Sequence, residues 1–400
     1  MELGNLFKIL KNKSPGYDEL PYKFIKLCEP ILKPILTKLF NAMLKNGIYP
    51  QEFKLAKVVP IHKNGATTSL NNYRPISILS ALNMLFEKLL YRRMYKYLTK
   101  FNILYKYQFG FRSGHSTNHA LIEMTDHIKM AINNQELFCG IFIDLSKAFD
   151  TVPHNLLLKK MHHYGFRGIS NKLFSSYLSN RLQYVQIGKT KSQRKNVTCG
   201  VPQGSVLGPL LFLLFINDIH KCCPSGNVRI FADDTNIFFK SKNLGDIVTK
   251  IKLVMSQIEK WLIINKLTLN VKKSSFTIFR SPKLNVPPLP DTVIFNNSEI
   301  VRSKTVKYLG VTLDEFLNFK EHAINVCNSL KKYFRIFYNI QRYMNKSQTT
   351  SLYYSYIYSR IQYAISIYGA NSKSNINMLQ TMQNKLLKVL LSKDRWYSTC

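Results

Sequence analysis

The sequence predicts an α+β fold, and three features carry that expectation. Short apolar segments of strand character alternate with longer segments of helical period. Two of the apolar segments end on acids: LFCGIFI (Leu137–Ile143) runs into Asp144, and RIFADDTNIFF (Arg229–Phe239) holds Asp233 and Asp234 between its arms. Beyond Asp314 the chain turns helical and basic, with twelve Lys/Arg against the acids Glu321 and Asp394 alone in Phe316–Cys400.

In order, the first fifty residues carry a turn, KSPGYDELP, then a helix through Ile31, Ile35, Leu39 and Met43. A strand is expected over Ala56–Lys63, followed by a loop, NGATTSLNNYRPIS, rich in turn residues. Leu79–Leu98 and His119–Ile132 have helical period. The continuous apolar run Leu137–Ile143 predicts a buried strand. Helices follow around Asn155–Tyr164 and Asn171–Leu178, then a strand over RLQYVQIG. GVPQGSVLGPLLFLLFINDI opens with Gly and Pro and continues as an apolar helix. After the Asp233–Asp234 hairpin comes an amphipathic helix over Leu244–Ile264. KLTLNVKKSSFTIF and TVKYLGVTLD each read as a strand pair. The Tyr-rich run YYSYIYS (Tyr353–Ser359) alternates bulky and small residues, which predicts helix packing rather than base stacking.

Charge narrows the partners. Fifty-seven Lys+Arg against 22 Asp+Glu give +35 over 400 residues, with a pI near 9.9. Self-repulsion of that size needs a polyanion to offset it, and nucleic acid is the first candidate. No membrane partner is expected, because no apolar run approaches the ~20 residues of a span and the N-terminus lacks signal-peptide order. Seven cysteines without a CxxC pair predict free thiols in a reducing compartment. His220, Cys222 and Cys223 have the spacing of no common zinc site.

The acids raise the sharper question. Two ionised neighbours about 5 Å apart repel by roughly 3 kcal/mol at an effective dielectric of about 20. One acid at a strand end is commonly a turn former. Three arriving from two buried strands suit an oxygen-rich Mg²⁺ site, and two such ions clamp the attacking and leaving oxygens of phosphoryl transfer. A nuclease and a polymerase both answer that description. Phe149 lies across a turn from Asp144, where an aromatic can exclude a ribose 2′-hydroxyl. Gln203 and Gly204 in PQGS suit bracing of a base pair. Lys63 and Arg74 flank the flexible loop, where they can hold a triphosphate. Lys273 in LNVKKS can protonate a departing pyrophosphate.

The ordered series NYRPISIL, QFGFRSGHST, IDLSKAFDTVPH, GVPQGSVLGPLLFLLFINDI, FADDT, LTLNVKKS and KYLGVTLD resembles the reverse transcriptases of non-LTR (LINE-type, jockey-like) retrotransposons. The resemblance runs from about Lys11 to near the C-terminus. It implies a right-hand polymerase of fingers, palm and thumb: an N-terminal extension over 1–50, fingers and palm over 51–314, and a helical, basic, thumb-like region over 315–400. Asp144, Asp233 and Asp234 match the catalytic, metal-binding aspartates, with two Mg²⁺ ions or Mn²⁺ as substitute, and Lys273 the motif lysine. Lys63, Arg74, Phe149, Gln203 and Gly204 match nucleotide-binding positions, and Tyr308, Leu309 and Gly310 the primer grip.

The resemblance further implies an RNA template, a DNA primer or target, and dNTPs, acting in a ribonucleoprotein of nucleus or cytoplasm. The basic cluster KTKSQRK (Lys189–Lys195) suits nuclear targeting or phosphate contact. No endonuclease fits before Lys11, and the C-terminal region has too few acids for an RNase H, so an endonuclease domain or subunit is expected to be missing. The other reading is a non-catalytic RNA-binding remnant of a truncated element. An intron-type or host-adopted enzyme fits less well, because FADDT replaces the YADD form.

Overall fold

The computed structural model describes residues 2–398 apart from 225, 296, 297, 370, 371 and 395. Helices α1 (Glu2–Lys8), α2 (Tyr22–Leu27) and α3 (Glu29–Asn46) open the chain. α3 has a proline in its first turn, where the missing N–H is not needed, and ends at Gly47 in the left-handed conformation (φ 64°). β1 (Leu55–His62) pairs antiparallel with β2 (Tyr73–Ile78), with Ile61 opposite Arg74. Tyr73–Ser77, expected as loop, is therefore strand. Its Pro75 is tolerated because β2 is the edge of its sheet.

α4 (Ala81–Lys100) and α5 (Thr117–Asn133) start on Ser80 and Ser116, whose hydroxyls accept from the first-turn N–H groups. Then come β3 (Leu137–Ile143), α6 (Ala148–Thr151), α7 (His154–His163) and α8 (Ile169–Leu178). β4 (Arg181–Ile187) lies parallel to β1, with the short β5 (Thr190–Lys191) and β6 (Lys195–Val197) beside it. Every residue of α9 (Leu207–Ile216) except Pro209 is buried, as an all-round apolar helix requires.

β7 (Asn227–Phe231) and β8 (Asp234–Ser241) form the expected hairpin, followed by α10 (Leu244–Asn265). KLTLNVKKSSFTIF holds only one strand, β9 (Ser275–Phe279). Leu269 makes just an isolated bridge to Leu145, because the Asn270–Ser274 turn bends back onto Asp144 instead of closing a hairpin. An unexpected hairpin, β10 (Thr292–Phe295) with β11 (Ser298–Arg302), precedes the expected one of β12 (Thr305–Tyr308) and β13 (Val311–Asp314). The central sheet runs β10-β11-β9-β3-β8-β7 and is antiparallel except for β11 beside β9.

β3 is buried on both faces. Leu137, Cys139, Ile141 and Ile143 join one core with the N-terminal helices, α9 and α10, while Phe138 and Phe142 join a second core with α5 and the C-terminal helices. Each buried Phe contributes roughly 1.5–3 kcal/mol. The C-terminal region comprises α11 (Lys320–Lys331), α12 (Tyr333–Ile340), α13 (Lys346–Leu352), α14 (Ser359–Gln362), α15 (Ile365–Tyr368) and α16 (Lys373–Leu390). Tyr353–Tyr358 forms a π-helical turn in which only Ile357 is buried. Tyr354, Tyr356 and Tyr358 are exposed, so the packing expected of the run is made by Ile357 and the half-buried Tyr353.

Six cysteines are free, and Cys400 lies outside the described residues. Among the described residues no helix is long and apolar enough to cross a membrane.

The β7–β8 bend is strapped from outside by Tyr107–Gly110. Phe109 N–H donates to Ile230 O (2.8 Å), and Ile230 N–H to Tyr107 O (3.0 Å). Gln108 Oε1 accepts from Gly110 N–H (2.9 Å) and Ala232 N–H (3.2 Å), which holds Ala232 at a left-handed φ of 58°. A Cβ on Gly110 would stand 2.3 Å from the Ala232 nitrogen. Gly110→Ala is expected to destabilise the chain by about 1–3 kcal/mol in chemical denaturation; an unchanged midpoint would show that the strap yields freely.

Candidate active site

Antiparallel pairing of β3 with β8 places Ile143 opposite Thr235. Asp144, one residue on, and Asp234, one residue back, therefore leave the sheet at the same end, with Asp233 in the bend beside them. Burial is the main cause that pushes the Asp234 carboxyl up to about 6, followed by Asp233 and then Asp144. Asp233 is also raised, first by burial and then by Asp144, while Arg74 and Lys63 counter the rise. Three acids thus repel one another at the half-buried end of the sheet. Asp314, at the end of β13, shows the bland alternative: its Oδ1 accepts from Phe316 and Asn318 N–H, and its Oδ2 from Phe319 N–H.

Asp144 is fixed from the β9 side. Asn270 donates from Nδ2 to Asp144 Oδ2 (2.9 Å) and from its backbone N–H to Asp144 O (2.9 Å). Ser274 Oγ accepts from Asp144 N–H (3.2 Å). Lys273 Nζ stands 3.9 Å from Asp144 Oδ2, so of the two neighbouring lysines it is Lys273 that reaches the acids. Asn270 and Ser274 were not among the expected site residues. Their signal is the spacing inside LNVKKS, which lets one turn present an amide, a lysine and a hydroxyl together.

A cavity of about 320 Å³ opens between the acids and the β12–β13 hairpin, lined by Asp144, Asp234, Asn236, Lys273, Tyr308 and Leu309 among others. The tip of the hairpin is a two-residue turn with both residues at positive φ, Leu309 at 43° and Gly310 at 86°. Tyr308 is buried against Phe142, and the Tyr363 hydroxyl donates to Leu309 O (2.5 Å). The structure thus brings Tyr308 and Leu309 to the acids and leaves Gly310 behind them, against Tyr363.

Phe149, Gln203 and Gly204 form an adjoining group outside that cavity. Phe149 stacks on Phe212 (centroids 4.4 Å), and its carbonyl accepts from Val201 N–H (2.8 Å). Gln203 Nε2 donates to Asp150 Oδ1 (2.9 Å), while its carbonyl accepts from Ser77 N–H (2.6 Å). Ser77 belongs to β2, the strand that carries Arg74, so this loop and Arg74 share one support.

Among the described residues no group of three or more His, Cys, Asp or Glu side chains is already gathered as a metal site. The donor chemistry of Asp144, Asp233 and Asp234 nonetheless fits a hard divalent cation: three carboxylates converge, and the charge that burial and like-charged neighbours disfavour on Asp233 and Asp234 is one such an ion neutralises.

Strand-end acids of this kind, with cations beside them, suit metal-assisted phosphoryl-transfer chemistry. The chain is a member of the reverse transcriptase (RNA-dependent DNA polymerase) family, which it matches over residues 61–313. Within that family its sequence is of the jockey-like non-LTR retrotransposon kind. It is 30% identical over 408 residues to the RNA-directed DNA polymerase from mobile element jockey of Drosophila melanogaster, covering 99% of this chain and 44% of that one. It is also 30% identical over 391 residues to the probable RNA-directed DNA polymerase from transposon BS of the same species, covering 94% and 43%. The chain spans less than half the length of these relatives. Among solved structures, apo telomerase from Candida tropicalis truncated from its C-terminal domain superposes with a TM-score of 0.45 at 15% identity, over 68% of this chain and 55% of that one.

Gly204 has φ 112°, and a Cβ there would stand 2.5 Å from Ser77 O. Gly168 has φ 55° with nothing within 4 Å of an added Cβ. Gly168, with ψ −127° as well, holds a conformation almost confined to glycine, so Gly168→Ala is expected to cost that backbone strain alone, about 1–3 kcal/mol. Gly204→Ala should cost about 1–3 kcal/mol more, because Ser77 must shift as well. Equal unfolding free energies for the two variants would rule out the tight loop-to-β2 contact.

Proposed function

We propose that this chain is the RNA-directed DNA polymerase of a non-LTR retrotransposon, extending a primer 3′-hydroxyl with dNTPs on an RNA template. The observation that carries the reading is the convergence of Asp144, Asp233 and Asp234 at one end of a buried sheet, with Lys63 and Arg74 near enough to act on Asp233 and with Lys273 3.9 Å from Asp144. In this reading 1–50 lead into the fingers, 51–314 form fingers and palm of a right-hand polymerase, and 315–400 act as the thumb.

Asp144, Asp233 and Asp234 would hold two Mg²⁺ ions, or Mn²⁺ in their place, which when bound supply Lewis-acid stabilisation of the attacking and leaving oxygens. Lys63 and Arg74 bind the triphosphate by charge-assisted hydrogen bonds, with Arg74 offering a planar fork to phosphate oxygens. The Gln203–Gly204 loop braces the incoming base pair, and its close seat on Ser77 keeps it from drifting. Phe149 closes the space a 2′-hydroxyl would need, and its stacking on Phe212 supports the ring there. Lys273 donates a proton to the departing pyrophosphate. Tyr308 and Leu309 hold the primer end across the cavity, and Gly310 makes the turn that presents them. The basic C-terminal helices follow the hybrid through phosphate contacts, without reading sequence.

The test is primer extension on poly(rA)/oligo(dT) with the full chain and Mg²⁺. The Asp233→Ala, Asp234→Ala double variant is expected to lose activity. In the resembling family the first of the pair is the stricter ligand, so Asp233→Asn should abolish extension and Asp234→Asn leave at most a trace. Activity of the double variant equal to wild type would remove this site from the chemistry. Salt-dependent RNA binding without incorporation would favour the RNA-binding remnant.

A second measurement addresses selectivity. Phe149→Ala should improve ribonucleotide use relative to dNTPs by about tenfold or more, since removing a steric block reveals latent binding. An unaltered ratio of kcat/KM values would return Phe149 to core packing.

A further inference from the structure

Glu87 is fully buried in α4, and no step described above uses it. An interior carboxylate is costly unless paired, so its partners indicate its purpose. Oε2 accepts from the backbone N–H groups of Val206 (2.6 Å) and Leu207 (3.3 Å). Oε1 accepts from the Tyr177 hydroxyl (3.1 Å) and the Asn83 amide (3.3 Å), and Asn83 Oδ1 accepts in turn from the Tyr49 hydroxyl. All four direct partners are donors, the set an ionised carboxylate takes. Burial pushes the Glu87 carboxyl up, while Arg181 and the hydrogen bonds from Val206, Leu207 and Tyr177 oppose the rise. Arg181 is itself buried: its Nη1 donates to Tyr177 O (3.1 Å), and its guanidinium lies 4.7 Å from the Tyr177 ring centre.

The two backbone N–H groups stand at the start of α9, directly after Gln203, Gly204 and Ser205. α4 begins just beyond Ser77, the residue whose N–H holds the Gln203 carbonyl. The loop is therefore gripped at two points by one continuous segment. Ser77 grips it before the bend, from the strand that carries Arg74, and Glu87 grips it after the bend, from the helix that follows. We propose that Glu87 is a positioning residue for nucleotide addition: by tying the start of α9 to α4, it sets the Gln203–Gly204 loop against Arg74 as one rigid unit. The proposal rests on the polymerase reading. What it adds is that the nucleotide site depends on a carboxylate that touches neither nucleotide nor acids.

The experiment uses the full chain in primer extension on poly(rA)/oligo(dT), with dTTP varied, alongside thermal unfolding. Glu87→Gln retains the shape and one acceptor oxygen, so it carries the test even where Glu87→Ala fails to fold. Glu87→Gln is expected to raise the dTTP KM about tenfold with kcat within about twofold, the pattern of lost nucleotide positioning. A residue that merely caps α9 would instead lower Tm and leave KM and kcat per folded molecule unchanged. Asn243→Ala, which removes the side-chain cap of α10, supplies that comparison pattern. The cap-only outcome for Glu87→Gln overturns the proposal. If the wild-type chain does not extend the primer, the polymerase reading fails and the role in nucleotide addition fails with it. In an active wild type, faster amide hydrogen exchange at residues 203–205 in Glu87→Gln, ahead of the two amides Glu87 holds and with β3 unchanged, supports the tie; equal exchange there overturns it.

Discussion

The pairing of β3 with β8 is the constraint on which the remaining structure depends. Side chains alternate along a strand, so a one-residue slip would turn Phe138 and Phe142 out of one core and Leu137, Cys139, Ile141 and Ile143 out of the other. With both faces buried, neither error can be absorbed by solvent. The register Ile143 opposite Thr235 is therefore held by apolar packing on two sides, and the placement of Asp144 beside Asp234 follows from it. The charged end of the sheet is positioned by its uncharged middle.

That arrangement concentrates a cost at the charged end of the sheet. Burial and like charge raise the carboxyl groups of Asp233 and Asp234, and Lys63 and Arg74 offset the rise only in part. Elsewhere the chain pairs such charges locally: Arg229 is buried against Glu123, and Lys160 meets Asp218 at 2.7 Å. The difference separates carboxylates that serve the fold from carboxylates the fold must tolerate. The bend bearing the second kind is over-determined by backbone contacts, through Gln108 and the close approach of Gly110 to Ala232.

Much of this was legible in the sequence. Leu137–Ile143 reads as a buried strand because seven successive apolar residues offer no polar face, and the structure gives those bounds. Asp144, Asp233 and Asp234 stood out because acids at the tips of such strands have few bland explanations. Other features were not legible. Tyr73–Ser77 has the composition of a loop and becomes strand only because β1 lies beside it. The tyrosines of 353–358 alternate with small residues as if packed, yet a π-helical turn rotates three of them to solvent and leaves Ile357 inside. Glu87 is one acid in a basic helix, and nothing local distinguishes it from a solvated one.

The sequence by itself determined the identity and order of the chemical groups: the acids, Lys63, Arg74 and Lys273, the glycine-bearing loop, and the strand and helix periods that carry them. These are local properties, set by side-chain type and spacing. Only the tertiary structure decided which groups meet. Asn270 orients Asp144 from 126 residues away, Ser77 seats the loop at Gln203, and Glu87 reaches Val206 across 119 residues. Such contacts depend on how sheets and helices pack, and packing is governed by the shape and burial of the whole chain rather than by any stretch of it.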